Sequence, residues 1–358
     1  MPMTDSPALQ RWRALAAPEW WERAAPDCDA DWERQERAME PERLLARPYR
    51  PSDQRAVIEL LLSAQAAEPG FDWPGAGQLR AMLADPELDL AHDARLWLNT
   101  RGALVAFALL RSGGRLLWFA RPSAQTDELD ARVIAWAAWR ACELADDSDT
   151  APMLRTEARS IQERRLAALE RLGFNARPGA SLRLRRSLTG DDGAAPLAPL
   201  ATDAALAGYR IRPLASAELG DYLALARQLF PRASRLPLSE SRRRALMADR
   251  AYTPELDLVA ESPAGTIVGF CHLALRPDER ERLGRRAGWI EMLGVAPQSR
   301  RTGLARALVR AGLLALADYG ADCALLTVRM DNAHARALYA AEGFIALFEE
   351  RSYGLALG

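Results

Sequence analysis

Lysine is absent from the 358-residue sequence, so all 47 basic side chains are arginines. This absence excludes Schiff-base catalysis and self-acetylation on a lysine of the chain. An excess of one charge is also lacking, because the formal net charge is -1. A nearly neutral chain has no overall field for gathering nucleic acid or anionic lipid. We therefore expect neither nucleic acid nor membrane as a partner.

Cysteine is scarce and scattered, without a C-x-x-C pair. Neither a disulfide framework nor a zinc site is therefore indicated, and no metal is expected. Apolar runs of about 20 residues, the length of a membrane span, are lacking too. The N-terminal segment has neither the basic nor the apolar part of a signal peptide. These absences predict a cytoplasmic protein with free thiols. The four cysteines are Cys28, Cys142, Cys271 and Cys323.

The length and the order of predicted elements indicate two copies of one α/β unit. A chain of 358 residues is long enough for about two domains. Residues 46–186 and 208–358 both contain a strand, a helix, antiparallel strands, a helix, a strand and a helix. Residues 187–207, rich in Ala, Pro, Gly and Asp, are interpreted as a linker. The sequence thus predicts tandem domains, each with a mixed sheet.

The first 45 residues contain several tryptophans among many charges, with no clean period. We interpret them as a helical N-terminal extension whose aromatics pack on the body of the protein. A tryptophan-lined ligand groove is the alternative.

An anion-binding turn is the first functional signal. The apolar run from Trp289 to Val295 breaks at Pro297 and is followed by a helical period from Leu304. Between them lies Arg300-Arg301-Thr302-Gly303. A strand that passes into a helix leaves unpaired N–H groups and the positive end of the helix dipole, which together attract phosphate. By itself, such a turn can also be an ordinary connection.

A second motif gives the turn its meaning. Arg300, Gly303 and Ala305 fit the pattern [Q/R]-x-x-G-x-[G/A], and further along the chain stands Asn332…Leu338-Tyr339…Gly343-Phe344. With both motifs, residues 209–350 resemble the GCN5-related N-acetyltransferase (GNAT) family, whereas the first copy does so only in outline. The resemblance implies two tandem acyl-CoA N-acyltransferase folds, with distant similarity to mycothiol synthase-like members.

The resemblance implies roles for specific residues. The turn Arg300–Ala305 (including Arg301, Thr302, Gly303 and Leu304) is expected to hold the pyrophosphate of acetyl-CoA. The backbone of Leu293, Gly294 and Val295, splayed from its neighbour by a bulge, is expected to pair with the pantetheine arm. Asn332 is expected to contact the coenzyme arm and to cap the last helix.

Tyr339 stands where the family has the acid that protonates the thiolate leaving group. A phenol is neutral at physiological pH and can donate that proton. The structural alternative is that Tyr339 only packs on the sheet.

Glu291 is the candidate general base. By the period of two it shares a strand face with Trp289, Leu293 and Val295, so it is expected to point into the cleft. A structural or substrate-binding carboxylate is the alternative. His272 and His334 are weaker candidates for the base.

The first copy departs from the family pattern. Its counterpart of the turn, residues 121–129, has no glycine, and it has two acids that would repel phosphate. Aligning Gly173-Phe174 with Gly343-Phe344 places Leu169 opposite Tyr339. We therefore expect a degenerate first domain without catalysis.

These expectations combine into one function, transfer of an acetyl group from acetyl-CoA to a small-molecule or peptide amine by direct attack in the second copy. Mycothiol synthases carry an acid two positions before the counterpart of Glu291, where this chain has Trp289, so that acceptor is one candidate among several. The acceptor pocket is expected in residues 229–250 and 276–286. The alternative is a non-catalytic acyl-CoA-binding or interaction module.

Overall fold

The computed structural model describes most of the chain from residue 44 onward. The predicted N-terminal extension lies outside the described residues, as do most of the linker and parts of both predicted acceptor loops. The described residues are 44–67, 74–86, 88–145, 152–190, 206, 208–231, 239–248, 252–275 and 286–357.

Two compact units are present, and each includes one strand from the range predicted for the other domain. The first unit consists of residues 1–180 with 348–358, and the second of residues 181–347. The last strand of the chain therefore completes the first unit, whereas a strand near residue 184 completes the second. Sequence periodicity gave no sign of this exchange, and the boundaries 46–186 and 208–358 remain predictions.

The first unit has strand order β1-β2-β3-β4-β5-β13, and β6 also pairs with β13. Its neighbouring strands are antiparallel except β4 and β5, which are parallel. The strands are β1 (Leu45–Pro48), β2 (Ala94–Leu98), β3 (Leu104–Arg111), β4 (Arg115–Ala120), β5 (Met153–Arg159), β6 (Asn175–Ala176) and β13 (Ile345–Ala356), and the helices are α1 (Gln54–Ala67), α2 (Ala76–Leu83), α3 (Leu90–Asp93), α4 (Asp127–Glu143) and α5 (Glu163–Arg171).

Helices cover both faces of this sheet. The almost uninterrupted apolar sequence of β3 is explained by burial on both faces. One face packs against α1 and α2, with Phe107 at its centre. The other packs against α4 and α5, with Trp97 and Trp136 in edge-to-face contact at 6.0 Å between ring centroids.

The second unit repeats this plan with strand order β8-β9-β10-β11-β12-β7. Here too a single neighbouring pair, β11 and β12, is parallel. The strands are β7 (Ser181–Ser187), β8 (Arg210–Pro213), β9 (Asp257–Glu261), β10 (Ile267–Leu275), β11 (Ala287–Val295) and β12 (Cys323–Arg329), and the helices are α6 (Leu219–Leu229), α7 (Glu240–Met247), α8 (Leu304–Asp318) and α9 (Ala333–Ala341).

The mixed α/β architecture predicted from the sequence is confirmed. One large apolar cluster in the second unit joins α6, α8 and α9 to the sheet. Because α8 follows β11 and α9 follows β12, both helices begin near the ends of the parallel pair. No helix among the described residues is long and apolar enough to span a membrane.

Candidate active site

The parallel strands β11 and β12 separate halfway along their length. They pair from Ala287 opposite Cys323 to Ile290 opposite Leu326. Beyond this point each keeps its other neighbour, since β11 stays paired with β10 to Val295 and β12 stays paired with β7 to its end. Among the described residues, the edge of β11 after Ile290 therefore has no strand partner on that side, which leaves a gap in the sheet.

A β-bulge lies at Glu291. The pairing of β10 with β11 shifts between His272 opposite Met292 and Leu273 opposite Ile290, which leaves Glu291 as the extra residue. The strand face therefore changes at this residue, so the prediction that Trp289 and Val295 share a face was wrong. Trp289 belongs to a small cluster apart from the core in which Val295 packs. The period of two fails here because a bulge adds one residue to the alternation.

Gly294 lies three residues after the bulge and marks a close packing contact, which is the other feature that a glycine within a strand indicates. It pairs in register with Phe270. A Cβ atom at this position would lie 2.8 Å from both a Phe270 ring carbon and a Leu229 methyl. Glycine is required here by close packing against α6 and β10.

The turn between β11 and α8 has an unusual backbone. Arg301 has φ 63° and Gly303 has φ 86°, and Arg301 is the one non-glycine residue with positive φ among the described residues. A left-handed non-glycine residue costs about 1 kcal/mol, and such strain often accompanies a ligand site. A Cβ atom added at Gly303 would have no heavy atom within 4 Å, so the space beside the turn is open.

Side chains of the turn hold its shape from inside. The Arg300 Nε donates to the Val295 carbonyl at 3.2 Å, and the Thr302 hydroxyl donates to the Ser299 carbonyl at 2.9 Å. The N–H of Ala307 is bonded to the Gly303 carbonyl, which leaves the N–H groups of the first helical turn directed outward. Arg301 is exposed, and Leu304 is buried beneath the helix start. This arrangement of donors and helix dipole favours an anion.

Tyr339 of α9 packs in the core beside the gap. Its ring is 7% exposed and makes an edge-to-face contact with Phe344 at 5.5 Å. Burial raises its pKa well above the ordinary value, and the nearby Cys271 thiol contributes in the same direction. Cys271 pairs across the sheet with Leu293, on the part of β11 that faces the gap. The phenol is therefore neutral and held near that part of the strand.

Asn332 caps α9, as expected. Its side-chain oxygen accepts a hydrogen bond from the Ala335 N–H at 3.1 Å, and the residue is exposed beside the end of β12. His334, two residues after Asn332, is exposed as well. The structure thus keeps Asn332 near the gap and gives His334 no buried environment.

His272 belongs to a buried polar cluster that the sequence did not reveal. Its Nδ1 lies 3.3 Å from the Asp257 carboxylate, and its Nε2 lies 3.3 Å from the Arg243 guanidinium. Arg243 also binds Asp257, and the Tyr252 hydroxyl donates to Asp257 at 2.9 Å. Burial alone would raise the pKa of Asp257, but His272 and Arg243 hold it below its ordinary value. Polar residues at Asp257 and His272, in otherwise apolar strands, were the available signal.

Comparison with known proteins agrees with this geometry. A model of the acetyltransferase (GNAT) family matches residues 223–344. A mycothiol acetyltransferase of Paenarthrobacter aurescens (strain TC1) is 33% identical over 110 residues, which are 31% of this chain. The match spans only 33% of that relative's length.

Solved structures show the same fold over most of the chain. A GCN5-related N-acetyltransferase from Sphaerobacter thermophilus has a TM-score of 0.67 at 20% identity and covers 88% of this chain and 96% of its own. A tandem GNAT protein from the clavulanic acid biosynthesis pathway has a TM-score of 0.63 at 17% identity, covering 88% and 99%. Residues 223–344 therefore match the acetyltransferase (GNAT) family, within a chain that has the fold of a tandem GNAT protein.

Proposed function

We propose that the second unit transfers an acetyl group from acetyl-CoA to a primary amine. The observation that carries this proposal is the separation of β11 from β12 directly before a turn with an open anion site. An extended acyl-CoA arm fits the gap, and its pyrophosphate fits the turn. The match of residues 223–344 to the GNAT family supports acyl transfer from an acyl-CoA.

The coenzyme is held mainly by backbone groups in this proposal. The N–H groups from Arg301 to Ala305 bind the pyrophosphate at the positive end of the α8 dipole. Arg300 acts from inside, because its Nε already binds the end of β11. The open edge of Leu293, Gly294 and Val295 pairs with the pantetheine arm. A preorganised N–H at the thioester oxygen stabilises the developing oxyanion, an effect typically worth about 3 kcal/mol.

The reaction is a direct attack on the thioester. The amine nitrogen forms a bond to the acetyl carbon, and the carbon–sulfur bond breaks with its electron pair on sulfur. Tyr339 donates its phenolic proton to the thiolate, and its raised pKa keeps that proton in place until the thiolate forms. Tyr339 recovers a proton from solvent after the products leave.

The amine must lose a proton, and Glu291 is the proposed acceptor, directly or through a water chain. The bulge takes Glu291 out of the regular pairing of β10 and β11 and leaves it half-buried at the point where β11 and β12 separate. A carboxylate placed there lies next to the strand segment that binds the thioester. His272 is less suitable, because both of its ring nitrogens face partners within the buried cluster.

The acceptor is a small-molecule or peptide amine. The relative described above is named for mycothiol, which favours a small molecule. At the position where mycothiol synthases are expected to carry an acid, however, Trp289 stacks under the Arg183 guanidinium at 4.4 Å. A cation and an aromatic ring in place of a carboxylate favour a different acceptor, one that need not be cationic at that point.

Calorimetry with acetyl-CoA, followed by a panel of amines assayed for thiol release, tests the proposal. We expect one binding site per chain and thiol release with at least one amine. Two sites, or none, would contradict a single working unit. Binding of one acetyl-CoA without thiol release from any amine in the panel would favour the alternative, a non-catalytic acyl-CoA-binding module. Tyr339 and the intact turn argue against that alternative.

A further inference from the structure

A buried carboxylate links the two helices that border the proposed site. Glu342, at the C-terminal end of α9, is 5% exposed. The Arg310 Nε donates to its Oε2 at 2.8 Å, and the Arg306 Nε lies 3.2 Å from its Oε1. Both arginines are in the first two turns of α8, directly after the anion turn. This ion cluster therefore ties α9 to the part of α8 that begins the coenzyme site.

The same residue is close to the proposed acid along the helix. The N–H of Glu342 donates to the carbonyls of Leu338 and Tyr339, each at 3.1 Å. The N–H of Phe344 returns to the Tyr339 carbonyl at 3.0 Å. The turn at Gly343 has φ 81°. The Arg186 guanidinium lies beside it, 3.0 Å from the position that a Cβ atom at residue 343 would take. Any shift of Glu342 is therefore passed to Tyr339 through less than one helical turn.

In the first unit, the positions that correspond to this cluster are apolar. Aligning the helix ends places Leu172 opposite Glu342, and aligning the strand ends and buried faces of α4 and α8 places Ala131 and Ala135 opposite Arg306 and Arg310. Leu172 and Ala135 are buried, and Leu172 lies in an apolar cluster against which Ala131 also packs. Ion pairs join the two helices at other places, from Arg171 to Asp127 at 2.8 Å and from Arg164 to Asp130 at 3.2 Å. The fold therefore does not require charges at the positions of Glu342, Arg306 and Arg310.

Buried ion clusters are a weak source of stability. Replacing one with well-packed apolar residues is often neutral or stabilising, because desolvation of the charges offsets their attraction. Such a cluster fixes the relative orientation of the elements that carry it, because guanidinium and carboxylate groups pair only within a narrow range of geometries. The cluster is present in the unit with the intact turn and the tyrosine, and the three corresponding positions in the other unit are apolar.

We propose that Glu342 is a positioning residue, which with Arg306 and Arg310 fixes the distance between Tyr339 and the coenzyme-binding end of α8. This inference rests on the function proposed above. A small displacement of a catalytic group can lower turnover by about 100-fold. Loss of the cluster is therefore expected to lower kcat while the anion turn still binds the coenzyme.

Three variants separate positioning from simple packing. Glu342→Gln removes the charge, and the triple variant Glu342→Leu/Arg306→Ala/Arg310→Ala installs the apolar contact of the first unit. Glu261→Gln removes a carboxylate that binds Arg210 and Arg212 at the sheet edge, away from the site, and serves as the control. For each variant, the measurements are Tm, the Kd of acetyl-CoA, kcat with the best amine, and hydrogen exchange of residues 332–344 in the free protein.

For Glu342→Gln we expect kcat to fall about tenfold or more, Kd to change by less than about threefold, and exchange of residues 332–344 to accelerate. In the triple variant, Tm and the hydrogen exchange of residues 332–344 should return to wild-type values, whereas kcat should stay low. Glu261→Gln should keep the wild-type kcat. Recovery of kcat in the triple variant would overturn the proposal, because any packing would then suffice.

The exchange measurement does not depend on turnover. If the wild type binds no acetyl-CoA or acetylates no amine, the proposed function fails in the calorimetric and thiol-release assays alone. Hydrogen exchange of residues 332–344 in the free protein then shows whether the ion cluster anchors α9. Acceleration in Glu342→Gln supports anchoring of α9 by the cluster, and unchanged exchange overturns it.

Discussion

The two units share their strand order and helix positions, and they differ at nearly every residue of the proposed site. In both, one parallel pair separates, a turn after proline leads into a long helix, and a Gly-Phe pair ends the helix that follows. The carbonyls of Leu169 and Tyr339 accept equivalent hydrogen bonds from Phe174 and Phe344. The fold therefore needs the apolar framework but not the groups that do chemistry.

The gap of the first unit is filled by an arginine. The Arg165 guanidinium of α5 lies 3.9 Å from the centre of the Trp118 ring. It donates to the Glu157 carbonyl at 3.1 Å and the Thr156 hydroxyl at 3.0 Å on β5, and it lies 3.5 Å from the Trp118 carbonyl on β4. The groups that a ligand arm would bind are thus satisfied within the protein. The counterpart of Arg165 in the second unit is Ala335.

The turn and the strand of the first unit have also changed. The Thr126 hydroxyl caps α4 by accepting from the Leu129 N–H at 3.2 Å, so a side chain occupies the anion position. Glu128 stands opposite Gly303. The pairing of β3 with β4 runs without a register shift, whereas the pairing of β10 with β11 has the bulge at Glu291. The bulge therefore belongs to the site and is not required by the fold.

The largest effect is expected when Gly303 receives the residue of the first unit. Gly303→Glu adds backbone strain at φ 86° and a negative charge at the start of α8, so acetyl-CoA binding should fall by about 100-fold or more. Calorimetry measures the loss. Gly303→Ala carries the strain without the charge and should bind better than Gly303→Glu. Equal affinities for the two variants would show that charge at this turn is unimportant.

Removing the phenol of Tyr339 is the next prediction. Tyr339→Phe should lower kcat by about 100-fold or more, the usual contribution of a positioned general acid, with little change in coenzyme affinity. Tyr319→Phe is the matched control, because this exposed tyrosine binds Glu255 away from the site. Steady-state kinetics with a reactive amine measures both. Wild-type turnover in Tyr339→Phe would remove the residue as the acid.

Filling the gap between β11 and β12 with an arginine tests which residue distinguishes the second unit from the first. Ala335→Arg should weaken acetyl-CoA binding about tenfold, because the guanidinium would compete with the coenzyme arm for the edge of β11 through charge-assisted hydrogen bonds. Ala335→Met adds similar length without the charge and should have a smaller effect. In the first unit, Arg165→Ala should leave the stoichiometry at one site per chain. A second binding site in that variant would show that Arg165 alone had blocked it.

Local sequence signals predicted the framework and the turn well. Apolar periodicity predicted the repeated order of strand, helix, antiparallel strands, helix, strand and helix in both units, and Gly303 and Asn332 have the turn and cap conformations expected from their residue types. Long-range features had no local signal. The exchanged strands β7 and β13, the bulge at Glu291 and the ion cluster at Glu342 each depend on residues far apart in the sequence. Periodicity therefore misplaced Trp289 relative to Val295.

The smallest effects are expected where the units are alike. Arg47 binds Asp53 through two contacts of 2.7 Å, and Arg212 binds Glu218 through two contacts of 2.6 and 2.7 Å, each at the start of the first helical region of its unit. Asp53→Asn and Glu218→Gln should each lower the free energy of unfolding by about 1 kcal/mol, without change in kcat. Chemical denaturation measures the loss.

The contributions of these two ion pairs to the free energy of unfolding should also depend on pH in the same way. Burial alone would raise the pKa of Asp53, but the Arg47 and Arg50 contacts lower it, and the Arg212 hydrogen bonds lower the pKa of Glu218. A carboxyl group whose pKa is lower in the folded than in the unfolded protein stabilises the fold at pH values above its unfolded pKa, which is near 4. The contribution is therefore present at pH 7 and lost as the pH falls below about 4. Loss of activity in Glu218→Gln at neutral pH would show that this pair serves the site of the second unit and is not part of the shared framework.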